Sequence, residues 1–357
     1  MAVEQAVEQA AEQGGRQALP AHQRGLTGIA VVGLLVAGVV ASIAAAVTIG
    51  SSDLSMHEVW GGILAHLDLG GTPLDRIDDG IVWDLRLPRV LTAAAVGAGL
   101  SVCGALLQAL MRNPLADPYL LGISSGASLG AVSVLLLQFT VALPVAAFAG
   151  GAGSLALTLL IAGGAAAKLD PGRTILAGVA VSACCSAATS LLIFWSASGD
   201  SYQEILSWLL GSLSGSTWAG VAVTFGAMLL VGTPLLLTGR TLDAFTFGES
   251  AAASLGVRIV RTRWLLLGGS ALLTSALVAY SGAIGFVGLV LPHAVRLLTG
   301  PNNSRLLPLS ALLGAIFLVW ADTAARTLLD PRELPVGIVT ALVGTPAFAA
   351  LLLRRTS

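Results

Sequence analysis

The chain reads as long apolar runs separated by short polar or charged breaks. A hydrocarbon core about 30 Å thick takes about 20 apolar helical residues to cross. Runs of that kind begin near Leu26, Arg89, Leu120, Leu143, Thr174, Leu213, Trp264, Gly282, Leu306 and Pro335. They predict an all-α polytopic membrane protein with about ten crossings, the seventh and eighth meeting at Ser281-Gly282. The 43 glycines are spread through these runs, as in Gly126-Ala127-Ser128-Leu129-Gly130-Ala131. In lipid, small residues let helix backbones approach closely, so the glycines predict a tightly packed bundle.

Composition supports the same class. The 357 residues are 55% hydrophobic and 10% charged, with a mean hydropathy of +0.88. A soluble domain carries about 25% charged residues, so lipid must solvate most of this surface. A net charge of -1 does not indicate a nucleic-acid-binding face. Cys103, Cys184 and Cys185 all lie in apolar runs, with neither disulfide-framework nor zinc-site spacing, and read as small apolar helix residues.

Residues 1–25 differ, being rich in Ala, Glu and Gln, and read as a cytoplasmic tail, with residues 26–357 forming the membrane domain. Their glutamates make a poor signal-peptide n-region, and the apolar run that follows is too long for an h-region, which predicts an uncleaved first span. With ten spans and the N-terminus inside, the inner segments hold 13 of the 18 basic residues and the outer segments 5. The positive-inside bias therefore places both termini in the cytoplasm. The outer segments are also acid-rich, with Asp75, Asp78, Asp79 and Asp84 close together.

The longest inner connection runs from about Arg240 to Arg263. Within it, Ser250 to Leu255 predicts a short helix that stops at Gly256. Apolar residues on such a helix, flanked by arginines, suit docking into a groove on a partner, and a solvated connector is the other reading.

The chemistry that is missing narrows the function. Lys168 is the only lysine and follows Ala167, so there is no Gly-Lys-Ser/Thr phosphate loop and the chain is not a P-loop ATPase. His22, His57, His66 and His293 are scattered and form no zinc-protease motif; His293, after Pro292, reads as a packed helix residue. Acidic residues in mid-span mark ion-coupled carriers, and few are found. The best is Asp322, one helical turn before Arg326, where the two could face each other. Energy from a partner is the alternative to ion coupling.

Arg86-Leu87-Pro88-Arg89 opens the second span at its outer end, with Pro88 as a first-turn residue. The two arginines run against the positive-inside bias. They read either as headgroup anchors or as exposed guanidiniums for carboxylates on a docking protein.

Beyond these arginines come Gly104-Ala105-Leu106-Leu107-Gln108, Asn113-Pro114-Leu115-Ala116-Asp117-Pro118 and Leu121-Gly122-Ile123-Ser124-Ser125-Gly126-Ala127. Leu176-Ala177-Gly178-Val179-Ala180, Gly248-Glu249-Ser250, Gly282 to His293, Ala321-Asp322, Arg326 and Glu333-Leu334-Pro335-Val336-Gly337 follow in order. This series, covering nearly everything after residue 80, closely resembles the FecCD-type permease family of ABC importers for iron-siderophores, haem and cobalamin. The resemblance implies a cobalamin-importer-permease-like bundle, paired with an identical or paralogous copy around a central path. It also implies two cytoplasmic ABC ATPases, which would carry the ATP and Mg, and an external substrate-binding protein that delivers the cargo. No cofactor or metal is implied on this chain, which would be a permease rather than an enzyme, in the inner membrane.

By the same resemblance, Arg86, Arg89 and Arg326 contact acidic residues on the binding protein. Phe247, Gly248, Glu249, Ser250, Leu255 and Gly256 fall in the ATPase coupling segment. Asn113, Pro114, Leu115, Pro171 and Gly172 fall in the cytoplasmic gate, where a cobalamin-importing member carries small hydroxyl residues in place of Pro171 and Gly172. A ferric siderophore leads as cargo, followed by haem and cobalamin. An ion-coupled secondary transporter and a purely structural membrane subunit are the competing classes.

Overall fold

A single segment in lipid can satisfy its own backbone only as a helix, and helices are what the apolar runs form. In a computed structural model the described residues are 21–50, 54–138, 140–163, 171–196, 199–329 and 332–353. The tail before residue 21 and the connection 164–170, with Lys168 and Asp170, lie outside them. The first helices are α1 (Ala21–Thr48), α2 (Met56–His66) and α3 (Arg76–Leu110). A 3-10 turn at Pro118–Leu121 leads to α4 (Ile123–Leu137), α5 (Leu143–Gly163), α6 (Pro171–Ser196) and α7 (Gly199–Leu209). Then come α8 (Trp218–Leu236), α9 (Gly239–Thr246), α10 (Glu249–Ser254) and α11 (Ile259–Ser281). The last are α12 (Val287–Thr299), α13 (Asn303–Thr327) and α14 (Val336–Leu353).

Among the described residues, seven helices (α1, α3, α5, α6, α8, α11 and α13) are long and apolar enough to cross a membrane. The shorter apolar helices α4, α12 and α14 account for the remaining runs. Two corrections concern boundaries. The second run does not start at Arg89: its helix begins a further 13 residues back, at Arg76, where Asp75 accepts hydrogen bonds from Ile77 N and Asp78 N. The run placed at Leu213 starts as helix only at Trp218, and the 11-residue α7 precedes it.

The core sits around α3, whose side chains are buried almost without break from Pro88 to Leu110. It packs along α13 so tightly that a methyl group on Gly97 would strike the Gly314 carbonyl, and one on Gly314 would strike that of Gly97. Gly104 sits equally close to the Gly288 backbone of α12, and Gly126 of α4 to Gly150 of α5. The glycines do what the sequence predicted, letting backbones meet where lipid offers no hydrophobic drive for helices to associate.

Three of the prolines inside helices, Pro88, Pro234 and Pro292, show how the bundle accommodates them. Pro88 is in the first turn of the α-helical stretch Leu87–Leu110, as expected, but that stretch continues without a break from a π-helical turn at Gly80–Arg86 in which Leu87 N–H reaches Val82 O. A proline has no N–H, and its ring strikes the carbonyl four residues back. The widened turn is where the helix absorbs that mismatch. Pro234 in α8 repeats the device after the π-turn Met228–Gly232. In α12, Pro292 leaves the Gly288 carbonyl without its helical donor, and Gln108 Nε2 of α3 supplies one at 3.3 Å, with Leu289 O at 3.1 Å. Between α11 and α12 the chain is not helical, and Tyr119 Oη serves both polar groups of Ile284, donating to its carbonyl (2.8 Å) and accepting from its N–H (2.9 Å). Non-helical backbone is tolerated at such depth only when protein satisfies it.

Replacing Gly104 by Val should force α12 off α3 and lower the thermal unfolding midpoint in detergent, by a loss of about 1–3 kcal/mol typical of overpacking. An unchanged midpoint would mean that the two backbones do not meet there.

Candidate functional site

Two regions bear on function, one at each end of the α3–α13 pair. These helices run antiparallel, so the N-terminal part of α3 meets the C-terminal part of α13. Here Arg86 and Arg89, one turn apart on α3, converge with Arg326 of α13 and Glu333 of the α13–α14 connection on a half-open cavity of about 300 Å³. Gly50, Ile81, Leu85 and Ser214 complete its lining.

Arg86 and Arg89 were read either as headgroup anchors or as exposed guanidiniums, and Arg326 as facing Asp322. Instead Arg86, Arg89 and Arg326 keep only 6%, 8% and 7% of their surface, and what remains opens on the cavity. The Arg89 fork is shared between two acids. Its Nε lies 2.9 Å and 3.1 Å from the Asp322 oxygens, its Nη2 is 3.0 Å from Asp322 Oδ1, and its Nη1 is 2.7 Å from Glu333 Oε2. Asp322, with 1% of its surface exposed, therefore hydrogen-bonds across helices to Arg89 and not to Arg326 one turn along its own helix. Arg326 turns its Nη2 to the Ala46 carbonyl in the last turn of α1, and to Thr323 Oγ1 at 3.4 Å. A cation suits that position, since the last carbonyls of a helix lack helical donors and carry its negative pole. Arg86 lies flat against Gly50, where any side chain would displace its guanidinium.

The other end carries the predicted coupling segment. The short helix expected at Ser250–Leu255 is present as α10, Glu249–Ser254, bounded by Gly248 (φ 104°, ψ 158°) and Gly256 (φ 85°). The Gly248 conformation is one that essentially only glycine adopts. Phe247 and Leu255, at the two ends of α10, are 78% and 70% exposed, whereas Ala252 between them is buried. Glu249 pairs with Arg263 of α11 at 2.7 Å, and Ser250 lies in the first turn of α10.

This segment is fastened to the same two helices. Arg112, just past α3, donates from Nη2 to Phe245 O of α9 at 2.8 Å. Asp243 of α9 accepts from Asn303 N (2.6 Å) and Ser304 Oγ (2.9 Å) at the start of α13. Neither Arg112 nor Asp243 was singled out in the sequence. A charge next to a helix start or end was the available signal, and it is a weak one without the partner.

The gate residues are brought together only in part. At the end of α3, Asn113 N–H bonds back to Gln108 O and Arg112 N–H to Ala109 O, a Schellman closure with Arg112 in the left-handed region (φ 48°). Asn113 Oδ1 then accepts from Leu115 N at 2.9 Å across Pro114. Burial pushes the Asp117 carboxyl up to about 6, against the opposing hydrogen bond from Tyr119 N–H. Contact with α6 runs through Leu120 and Leu121, whose backbone touches Gly178. Pro171 and Gly172 open α6 at the edge of the described residues.

No group of three or more His, Cys, Asp and Glu that could hold a metal occurs among the described residues. A polytopic helical bundle with buried charges at one end and a short exposed apolar segment at the other is the build of a transport permease. Comparison with known proteins gives the family. Residues 34–354 match the FecCD transport family, and the chain belongs to it as an ABC importer permease. It is 43% identical to the uncharacterised ABC transporter permease YvrB of Bacillus subtilis, over 88% of this chain and 90% of that one. It is 44% identical to the cobalamin import permease BtuC of Halobacterium salinarum, over 76% and 73%. A solved metal-chelate type ABC transporter in an inward-facing conformation superposes with a TM-score of 0.78 at 33% identity, covering 91% of this chain and 99% of that one.

The two acids that hold Arg89 should differ sharply when removed. Asp322→Ala strands a buried guanidinium and should cost about 3–5 kcal/mol, while Glu333→Ala, at a half-exposed pair, should cost under about 1 kcal/mol. Thermal unfolding of both variants in detergent checks this, and equal losses would contradict the assignment of Asp322 as the buried anchor.

Proposed function

We propose that this chain is the translocating subunit of a type II ABC importer in the inner membrane, crossing ten times with both termini in the cytoplasm. The observation that carries the reading is that one helix pair, α3 and α13, holds the arginine cavity at one end and the coupling segment at the other. In this reading the cavity faces outward and receives acidic side chains of a substrate-binding protein through Arg86, Arg89 and Arg326. At the other end Phe247 and Leu255 enter a groove on an ABC ATPase, which carries the ATP and Mg. A second permease, identical or paralogous, completes the path, and the segments around Asn113 to Leu115 and Pro171-Gly172 act as its cytoplasmic gate.

ATP binding would draw the two coupling segments together. Arg112 and Asp243 are the contacts through which such a movement reaches α3 and α13. The rest of the pair moves with them as a body, because backbones in contact at Gly97 and Gly314 cannot slide without a clash.

The cargo in this reading is a bulky metal chelate. Cobalamin stands ahead of a ferric siderophore and haem, moving from last to first in the order drawn from the sequence. Its support is that a 44%-identical relative is a cobalamin import permease and that the superposing structure is of metal-chelate type. Proteoliposomes holding the permease, its ATPase and its binding protein, offered cobalamin, ferric siderophore and haem in parallel, test this. ATP-dependent accumulation of cobalamin is expected. Accumulation of another chelate alone would replace the cargo, and uptake driven by an ion gradient without ATP would replace the class.

Leu255→Asp, placing a charge on the apolar docking surface, should cut ATP-dependent uptake by about tenfold or more. Binding-protein affinity should stay at the wild-type value. Undiminished uptake would remove Leu255 from the ATPase interface.

A further inference from the structure

The two carboxylates on Arg89 are not equivalent. Asp322 takes the Nε–Nη2 edge of the guanidinium in a paired, nearly dry contact, its side chain 1% exposed. Glu333 takes the remaining donor, Nη1, through one oxygen at 2.7 Å, and its side chain is 49% exposed. Asp322 is fixed in the middle of a helical turn of α13, whereas Glu333 lies in the connection three residues before α14 begins. The donor of Arg89 that Asp322 leaves over is thus held by the acid that water reaches more readily.

The cavity also limits what can enter. At about 300 Å³ it is at the lower bound for small-molecule sites and suits a side chain better than a chelate the size of the cargo. A guanidinium fork binds a carboxylate with directional, charge-assisted hydrogen bonds.

We propose that Glu333 is a resident stand-in for a carboxylate of the binding protein. On docking, an acidic side chain of that protein takes the Arg89 Nη1 seat, and Glu333 is released toward solvent. This rests on the docking reading given above. It adds that the permease fills its own receptor while empty, so that docking exchanges one ion pair for another instead of adding one. Glu333 thereby lowers affinity for the binding protein and favours its release after delivery. Because Leu334 N–H is bonded to Ala325 O at 2.9 Å, the exchange also bears on the peptide segment that joins α13 to α14.

The test uses the assembled importer in lipid nanodiscs and the purified binding protein of the same system, with docking measured over a range of ionic strength. Glu333→Gln and Glu333→Ala should each tighten docking about two- to fivefold at low salt, the worth of an exposed ion pair that no longer has to be broken. Both should also make docking more salt-dependent than in the wild type, because an ion pair is now gained. Unchanged or weaker docking in both variants would overturn the exchange and make Glu333 a positioning residue for Arg89. Arg326→Gln judges the underlying reading separately. If it weakens docking while the Glu333 variants do not tighten it, the docking site stands and the exchange falls. If Arg326→Gln leaves docking unchanged and docking is indifferent to salt, the arginine cavity is not the docking site at all.

Discussion

The backbone-to-backbone contact of α3 with α13 is the constraint on which the other features rest. Lipid offers helices no hydrophobic reward for association, so they are held by close packing and by polar groups that have nowhere else to go. Gly97 and Gly314 bring the two axes together. Only at that separation can the guanidinium of Arg89 lie within hydrogen-bond reach of a carboxylate 233 residues away in sequence. A charged pair so buried gives little net stability compared with an apolar core, but it is intolerant of losing one member. It therefore acts as a register pin, fixing how far along each other the helices sit.

The same economy governs the backbone. Each proline and each non-helical stretch in the bundle creates a polar group that lipid cannot satisfy. Several of these are met by named groups: Gln108 donates to the carbonyl exposed by Pro292, Tyr119 donates to the carbonyl of Ile284 and accepts from its N–H, and a widened turn precedes Pro88. Several of these residues belong to the segments that carry the family resemblance, Gln108 and Pro88 among them. Part of what reads as functional signature is the upkeep of a bundle with interrupted helices.

Much of the fold was legible because apolar run length is a physical requirement of the bilayer. All ten runs have a helix, in order. The short helix α10 was legible for a local reason, since Gly248 and Gly256 bound it with backbone angles that favour glycine. What escaped notice depended on distant partners or on polar helix. The start of α3 carries Arg76, Asp78, Asp79 and Asp84 and so resembled a loop, although Asp75 caps it. The 11-residue helices α2 and α7 are too short and too mixed in composition to stand out as apolar runs. The arginines were found in sequence, but their burial was not, because a rule for neighbours one turn apart assigned Asp322 to Arg326. Tertiary packing gave it to Arg89 instead.

The length of α3 has a consequence for the shape of the molecule. Its 35 residues, at about 1.5 Å each, extend over about 52 Å, against a hydrocarbon layer of about 30 Å. Measured from Leu110, Arg89 stands about one membrane thickness up, and the stretch from Arg76 to Arg86 continues beyond it. That stretch is braced by α2, where His66 stacks on Trp83 with ring centres 4.0 Å apart. In the proposed orientation the arginines thus lie at the foot of a helical projection standing above the lipid surface. A partner that met only the projecting ends of α2 and α3 would not touch them.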